Sequence, residues 1–149
     1  MYQRILAAVD GSETSLLALH EAFKLAKEGR GRLRLVYVVD VMPHGVAMTD
    51  PETLRQAIRE EGNGILRAAV EMAQEAGVEP ETALLEANWR HFSQTIVSEA
   101  KDWQADLIVM GTHGRTGLLR LVLGSVAEGV IHRTPVPVLL IRGHPDASA

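Results

Sequence analysis

The chain of 149 residues contains no cysteine, which excludes disulfide bonds and thiolate metal sites and fits a reducing compartment. No uninterrupted apolar run approaches the roughly 20 residues of a membrane-spanning helix, and the apolar run at residues 5–9 is too short for a secretory signal. The net charge of −4 offers no concentrated positive charge to nucleic acid or an anionic membrane. We therefore expect a cytoplasmic protein with neither as a partner.

Several motifs of well-known active sites are also missing. The chain lacks G-x-x-x-x-G-K-[ST], which excludes a P-loop, and it lacks the G-x-S-x-G motif of a nucleophilic serine. Its six histidines show no metal-binding spacing such as H-x-x-x-H on one helix. We therefore predict no catalytic nucleophile and no directly coordinated metal centre.

What is present is an ordinary globular composition, 46% hydrophobic and 23% charged, in a chain the length of one domain, residues 1–149. Short apolar runs predict strands at residues 5–9, 33–39, 82–87, 107–110 and 136–141. Helical patterns between them begin near residues 12, 50, 93 and 126, and we expect the second helix to kink or break at residues 62–64. Alternating strands and helices predict a parallel α/β sheet with right-handed crossovers.

The most informative stretch follows the fourth predicted strand. Glycines stand at Gly111, Gly114 and Gly117, and the pair Gly124-Ser125 precedes the last helix. Glycine lets backbone N–H groups approach an anion, and a helix N-terminus adds free donors and partial positive charge. The stretch therefore predicts a phosphate-binding loop, although any one of these glycines is as readily explained by a tight turn.

The spacing Gly111-x2-Gly114-x9-Gly124-Ser125 resembles the nucleotide-binding motif of the universal stress protein family, in its ATP-binding branch. The flanking strands and both ends of the chain agree, so the resemblance covers about residues 3–142. It implies a Rossmann-like, adenine nucleotide alpha-hydrolase-like fold with one five-stranded parallel sheet in the order 3-2-1-4-5 and helices on both faces. The strand order would then reverse between strands one and four, where ligands of such sheets bind.

The resemblance also implies which residues hold the nucleotide. We expect Asp10 to meet the ribose or a phosphate-bound Mg²⁺, with capping of its turn as the alternative. The backbone of Val38 would meet adenine, and Ala8 and Val9 would line that pocket. Ser125 would reach phosphate, act as a plain N-cap, or do both. Met110 either contacts the nucleotide or fills the core. Arg115 either binds phosphate or is a solvated loop cation. The full predicted set is Ala8, Val9, Asp10, Val38, Met110, Gly111, Gly114, Arg115, Gly124, Ser125 and Val126.

These implications predict a regulator of the stress response that binds ATP, or AMP or ADP, with Mg²⁺ and acts on an unknown protein partner by binding rather than turnover. A homodimer is implied through the last strand, which begins at Val136 and ends at Ile141. Two alternatives stay open: a slow ATP hydrolase or phosphotransferase using Asp10, and a dimeric interaction module without nucleotide. Residues 88–92 depart from the family pattern, and Trp89 there is either a partner contact or bulk over the sheet edge.

Overall fold

The computed structural model describes residues 1–41, 50–112 and 123–143. They form one parallel sheet in the order β3-β2-β1-β4-β5, which confirms the predicted fold class. The strands are β1 Arg4–Ala8, β2 Arg32–Val39, β3 Glu81–Glu86, β4 Leu107–Gly111 and β5 Val138–Ile141. The helices are α1 Glu13–Gly29, α2 Pro51–Glu75, α3 Phe92–Asp102 and α4 Ser125–Arg133, with a short 3-10 helix at Trp89–His91. Within the described residues, no helix combines the length and apolarity needed to cross a bilayer.

The two faces of the sheet carry separate cores because successive strand residues point to opposite sides. On one face, Ile5 and Ala7 of β1 pack in a cluster with Phe23 of α1 and Leu66 of α2. On the other, Leu6 belongs to the cluster that contains residues of α3 and α4. Strands buried on both faces are continuous in apolar residues, which is why the short runs in the sequence located them.

The second helix does not break at residues 62–64, since α2 runs without interruption from Pro51 to Glu75. Its start is as expected, with Asp50 as the N-cap and proline in the first turn. Gly62 is buried, and a Cβ there would lie 2.7 Å from Leu84 Cδ1 and 3.0 Å from Val39 Cγ1. This glycine therefore lets the helix approach the sheet closely instead of ending it.

Other boundaries shift by a few residues. The last strand begins at Val138 and not at Val136, whose amide donates to the Thr134 hydroxyl in the turn before it. Helix α3 begins at Phe92, so Ser93 is not its cap but a buried residue of its first turn. A Cβ at Gly129 of α4 would clash with the Ser93 side chain, so α3 and α4 cross closely there.

Charged side chains and Trp103 interact at the amino-terminal edge of the sheet, where the strands begin. The guanidinium of Arg4 lies 4.6 Å from the centre of the buried Trp103 ring, and that of Arg34 lies 5.1 Å from it. Arg34 also pairs with Glu99 of α3 and, at 3.0 Å, with Glu81 of β3. Because these partners come from β1, β2, β3 and α3, the cluster ties together elements distant in the sequence.

Candidate functional site

The strand order reverses between β1 and β4, which places their carboxyl ends side by side. Ala7 of β1 is in register with Val109 of β4, and β2 lies on the other side of β1. The chain leaves both strands at this edge, toward Asp10 in one case and Thr112 in the other. The stretches that follow β1 and β4, which contain the predicted residues Asp10 and Gly111, are therefore neighbours at the point where ligands of such sheets bind.

The turn after β1 is held by Asp10. Its carboxylate Oδ1 accepts a hydrogen bond from the Ser12 amide at 2.8 Å, and its own amide donates to Ser15 Oγ at 3.0 Å. Gly11 between them has a φ of 80°, a conformation that favours glycine. The carboxylate thus stabilises the turn, which was the alternative role predicted for it, and this turn also fixes it beside the carboxyl end of β1.

Gly111 ends β4 at a point of very close packing. A Cβ there would lie 2.6 Å from Thr14 Oγ1 and 2.9 Å from the Thr14 carbonyl carbon, in the first turn of α1. The sequence motif suggested a role in a phosphate loop, whereas the described contact is between a strand end and a helix start. Nothing in the local sequence pointed to this contact, because Thr14 is 97 residues away.

Hydrogen bonds hold together the two ends of the glycine-rich stretch. Gly124 donates its amide to the Thr112 carbonyl at 2.7 Å, and the Thr112 amide donates to the Ile141 carbonyl at 3.0 Å. The first and last parts of the motif, Gly111 and Gly124, are thereby brought to the same edge of the sheet. Gly114 and Arg115 lie outside the described residues.

The N-terminus of α4 presents backbone donors. Gly124 is its N-cap and brings no side chain, and the Glu128 amide donates the bond to the Gly124 carbonyl at 2.9 Å that opens the helical ladder. The amides of Ser125, Val126 and Ala127 precede that bond, as the first amides of any helix do. By contrast, side chains of Ser12 and Asp50 accept from first-turn amides of α1 and α2.

Ser125 is the first helical residue and is exposed, so it is not the plain N-cap that was the alternative for it. The first-turn amides and the Ser125 hydroxyl fit an anion, since a helix N-terminus combines donors outside the helical ladder with a positive dipole end. Val126 follows in the same first turn and is partly buried.

The apolar residues predicted around the base divide between the two faces. Ala8 and Val38 are partly buried against the cluster that includes Met110, whose side chain is 5% exposed. These three therefore share the α3 and α4 face of the sheet, with Met110 filling the core. The Val9 side chain packs in the opposite cluster, and its amide donates to the Val36 carbonyl at 2.9 Å.

A Mg²⁺ ion would have few side-chain ligands in the described part of the chain, where no three histidine, aspartate or glutamate side chains are grouped closely enough to hold a metal. Asp10 is the predicted carboxylate at the crevice, and a single carboxylate with phosphate oxygens is a usual way for proteins to hold Mg²⁺.

Comparisons with known proteins agree with this geometry. The sequence profile of the Universal stress protein family matches residues 1–142. A universal stress protein of Methanocaldococcus jannaschii is 42% identical over 144 residues, covering 95% of this chain and 83% of the relative.

Solved structures are similar over nearly the whole chain. The universal stress protein UspA of Lactobacillus plantarum has a TM-score of 0.81 at 27% identity, covering 95% of this chain and 98% of its own. A universal stress protein of Archaeoglobus fulgidus in complex with dAMP has a TM-score of 0.68 at 27% identity, covering 95% and 98%. With the profile match, the fold and the strand order in agreement, this chain belongs to the universal stress protein family.

Proposed function

We propose that this chain is a cytoplasmic regulator of the stress response that binds ATP with Mg²⁺ at the edge between β1 and β4 and acts by binding rather than by turnover. The observation that carries the proposal is the N-terminus of α4 beside the reversal point of the sheet, where no side chain among the described residues caps the first amides. The Archaeoglobus relative in complex with dAMP supports an adenine nucleotide as the ligand.

In this proposal the amides of Ser125 and Val126, with the Ser125 hydroxyl, bind phosphate oxygens. The dipole of one helix contributes only about 0.3–1 kcal/mol, whereas micromolar affinity requires about 8 kcal/mol. Hydrogen bonds from amides to a charged phosphate contribute about 1.5–3 kcal/mol each, so two or three of them supply much of the difference. Gly114 and Arg115 would add to this group, a role that follows from the sequence motif alone.

The remaining predicted residues would hold the nucleoside. Asp10 would accept from the ribose hydroxyls or hold the phosphate-bound Mg²⁺ through the carboxylate oxygen that is not bonded to the Ser12 amide. Ala8, Val38 and Met110, on one face of the sheet, would line the base. Val9 and Gly111 would contribute backbone, since the Val9 side chain and the Gly111 Cβ position lie against other parts of the fold.

The site is connected to an edge of the sheet where a second copy of the chain could pair. β5 is the edge strand at one side of the sheet, and an apolar edge strand readily pairs with the same strand of a second copy. The Thr112 amide, at the start of the glycine-rich stretch, donates to the Ile141 carbonyl at the end of β5. We propose a homodimer through β5 whose arrangement responds to nucleotide, and which a protein partner then recognises.

A proline at the first position of α4 tests the phosphate site. Ser125→Pro removes one amide donor, and Gly124 before it has φ −63° and ψ 150°, the extended conformation that a following proline requires. The chain already tolerates proline in the first turn of α2. The fold should therefore persist, which circular dichroism checks.

Ser125→Ala is the matched control, because it removes the hydroxyl and keeps the amide. Calorimetric titration with MgATP should show affinity at least about tenfold weaker for Ser125→Pro than for Ser125→Ala. Equal affinities in two folded variants would show that this amide does not bind phosphate.

A further inference from the structure

The two tryptophans lie at opposite ends of the sheet. Trp103 is 5% exposed at the amino-terminal edge, surrounded by arginines. Trp89 is 53% exposed and comes three residues after the end of β3, at the carboxyl edge of the sheet where the proposed nucleotide site lies. Packing against the rest of the chain therefore accounts for Trp103 and leaves much of the Trp89 side chain accessible.

Hydrogen bonds join the backbone around Trp89 to the end of β2. The Ala87 amide donates to the Val39 carbonyl at 3.0 Å, and the Trp89 amide donates to Asp40 Oδ2 at 3.4 Å. Val38, predicted to meet the base, is the residue before Val39 on the same strand. The hydrogen bonds of Ala87 and Trp89 therefore hold this segment beside the end of β2, the strand that carries the proposed adenine contact.

The chain around Trp89 is also ordered on its other side. The Asn88 side chain accepts from the Arg90 amide at 3.0 Å and caps the 3-10 helix that Trp89 begins. That helix continues directly into α3, which packs on the same face of the sheet as Ala8, Val38 and Met110. The 3-10 helix that begins with Trp89 therefore leads into the helix that covers the base side of the proposed site.

Arg90 lies against the indole, with its guanidinium carbon 5.3 Å from the ring centre. A cation over an aromatic ring is attracted by the negative face of the ring and restricts its rotation. An indole of this kind is a suitable surface for a nucleobase, because base-on-aromatic stacking needs an accessible flat face and no particular hydrogen-bond pattern.

We propose that Trp89 is a base-stacking residue of the nucleotide site, with Arg90 as the residue that positions it. This inference rests on the proposed function, since it assumes that an adenine nucleotide binds at the edge between β1 and β4. The departure from the family pattern at residues 88–92 would then strengthen the binding of the base. It would also favour purines, because their larger ring system stacks better.

The test measures tryptophan emission and calorimetric affinity on the full chain, with MgATP and with inorganic tripolyphosphate as the probe that lacks a base. MgATP should quench the emission of the wild type, and the quenching should vanish in Trp89→Phe, where Trp103 alone still emits. Trp89→Ala should bind MgATP about tenfold more weakly, whereas Trp89→Phe should retain most of the affinity. Tripolyphosphate should bind all three proteins equally and quench none.

The exposed aromatic Tyr2, near the opposite edge, provides the control: Tyr2→Ala should leave both affinities unchanged. If MgATP binds without changing Trp89 emission and Trp89→Ala binds it as well as the wild type, the stacking role is wrong while the proposed function stands. If Trp89→Ala weakens tripolyphosphate as much as MgATP, the residue acts on the fold and not on the base. Failure of the wild type to bind either probe would instead overturn the proposed function itself.

Discussion

Gly62 and Gly64, two residues apart on α2, allow the packing of this helix to be tested with a matched pair of substitutions. An alanine at Gly62 would place its Cβ 2.7 Å from Leu84 Cδ1, 3.0 Å from Val39 Cγ1 and 3.1 Å from Tyr37 Cδ1. An alanine at Gly64 would meet only Arg67 Nη2, at 3.7 Å, among the described neighbours within 4 Å. The two substitutions are chemically identical and differ only in their surroundings.

Both substitutions replace glycine in a helix, which alone stabilises by about 1 kcal/mol. For Gly64→Ala that gain should be observed almost in full. For Gly62→Ala it is opposed by overpacking, which costs about 1–3 kcal/mol, and the β-branched Val39 and the ring of Tyr37 adjust less easily than Leu84. We therefore expect Gly62→Ala to be about 1–3 kcal/mol less stable than Gly64→Ala.

Thermal unfolding followed by circular dichroism, with urea midpoints at pH 7, measures the difference. A change of 1 kcal/mol corresponds to about 2–4 °C in Tm for a chain of this size, so the pair should be well separated. If Gly62→Ala were as stabilising as Gly64→Ala, the close approach of α2 to β2 and β3 would be wrong.

Two further substitutions test contacts near the site and at the amino-terminal edge. Gly111→Ala should destabilise by about 1–3 kcal/mol in urea unfolding because its Cβ would meet the backbone of Thr14. Gly143→Ala, whose Cβ would lie 3.4 Å from Thr14 Cγ2, should change stability by less than about 0.5 kcal/mol, and equal effects would refute the contact. Burial raises the pKa of Glu81, but hydrogen bonds from Arg34 and Arg32 outweigh it and hold that pKa below its usual range. The stabilisation is therefore present above the unfolded-state pKa of about 4.3 and is lost as the pH falls through the lower folded-state value. Urea midpoints between pH 6 and 3 should fall less steeply for Glu81→Gln than for the wild type, and parallel curves would contradict the pairing.

The central strands were predictable because β1 and β4 are buried on both faces, and each is therefore a nearly continuous apolar run. The order of the strands came from the resemblance to the family, since periodicity carries no information about which strands are neighbours. The start of α2 was also evident, because Asp50 and Pro51 act on the helix locally.

What sequence reasoning missed depends on residues far apart in the chain. Gly62 suggested a helix break, and its actual role is visible only once Leu84 of β3 lies against it. The role of Gly111 in a phosphate loop stays a prediction, and its close contact with Thr14 was not foreseen. The pairing of Arg34 with Glu99 joins residues 65 positions apart, so no local pattern could reveal it.

The candidate site was predictable only where the sequence signal is local. The glycine spacing predicts a phosphate loop between Gly111 and Ser125, and that role stays a prediction. The described hydrogen bond shows that Thr112 and Gly124, near the two ends of this stretch, meet. The spacing did not distinguish the N-cap from the first helical residue, and the structure assigns these positions to Gly124 and Ser125 respectively. Nor did it separate the two faces of the sheet, which divide Val9 from Ala8.

The central claim is that the edge between β1 and β4 binds an adenine polyphosphate, and calorimetric titration of MgATP into the purified wild-type chain tests it most directly. We expect saturable binding of one nucleotide per chain, weakened by Ser125→Pro and not abolished by Ser125→Ala. Absence of binding at millimolar MgATP by the folded protein, after any co-purified nucleotide has been removed, would contradict it.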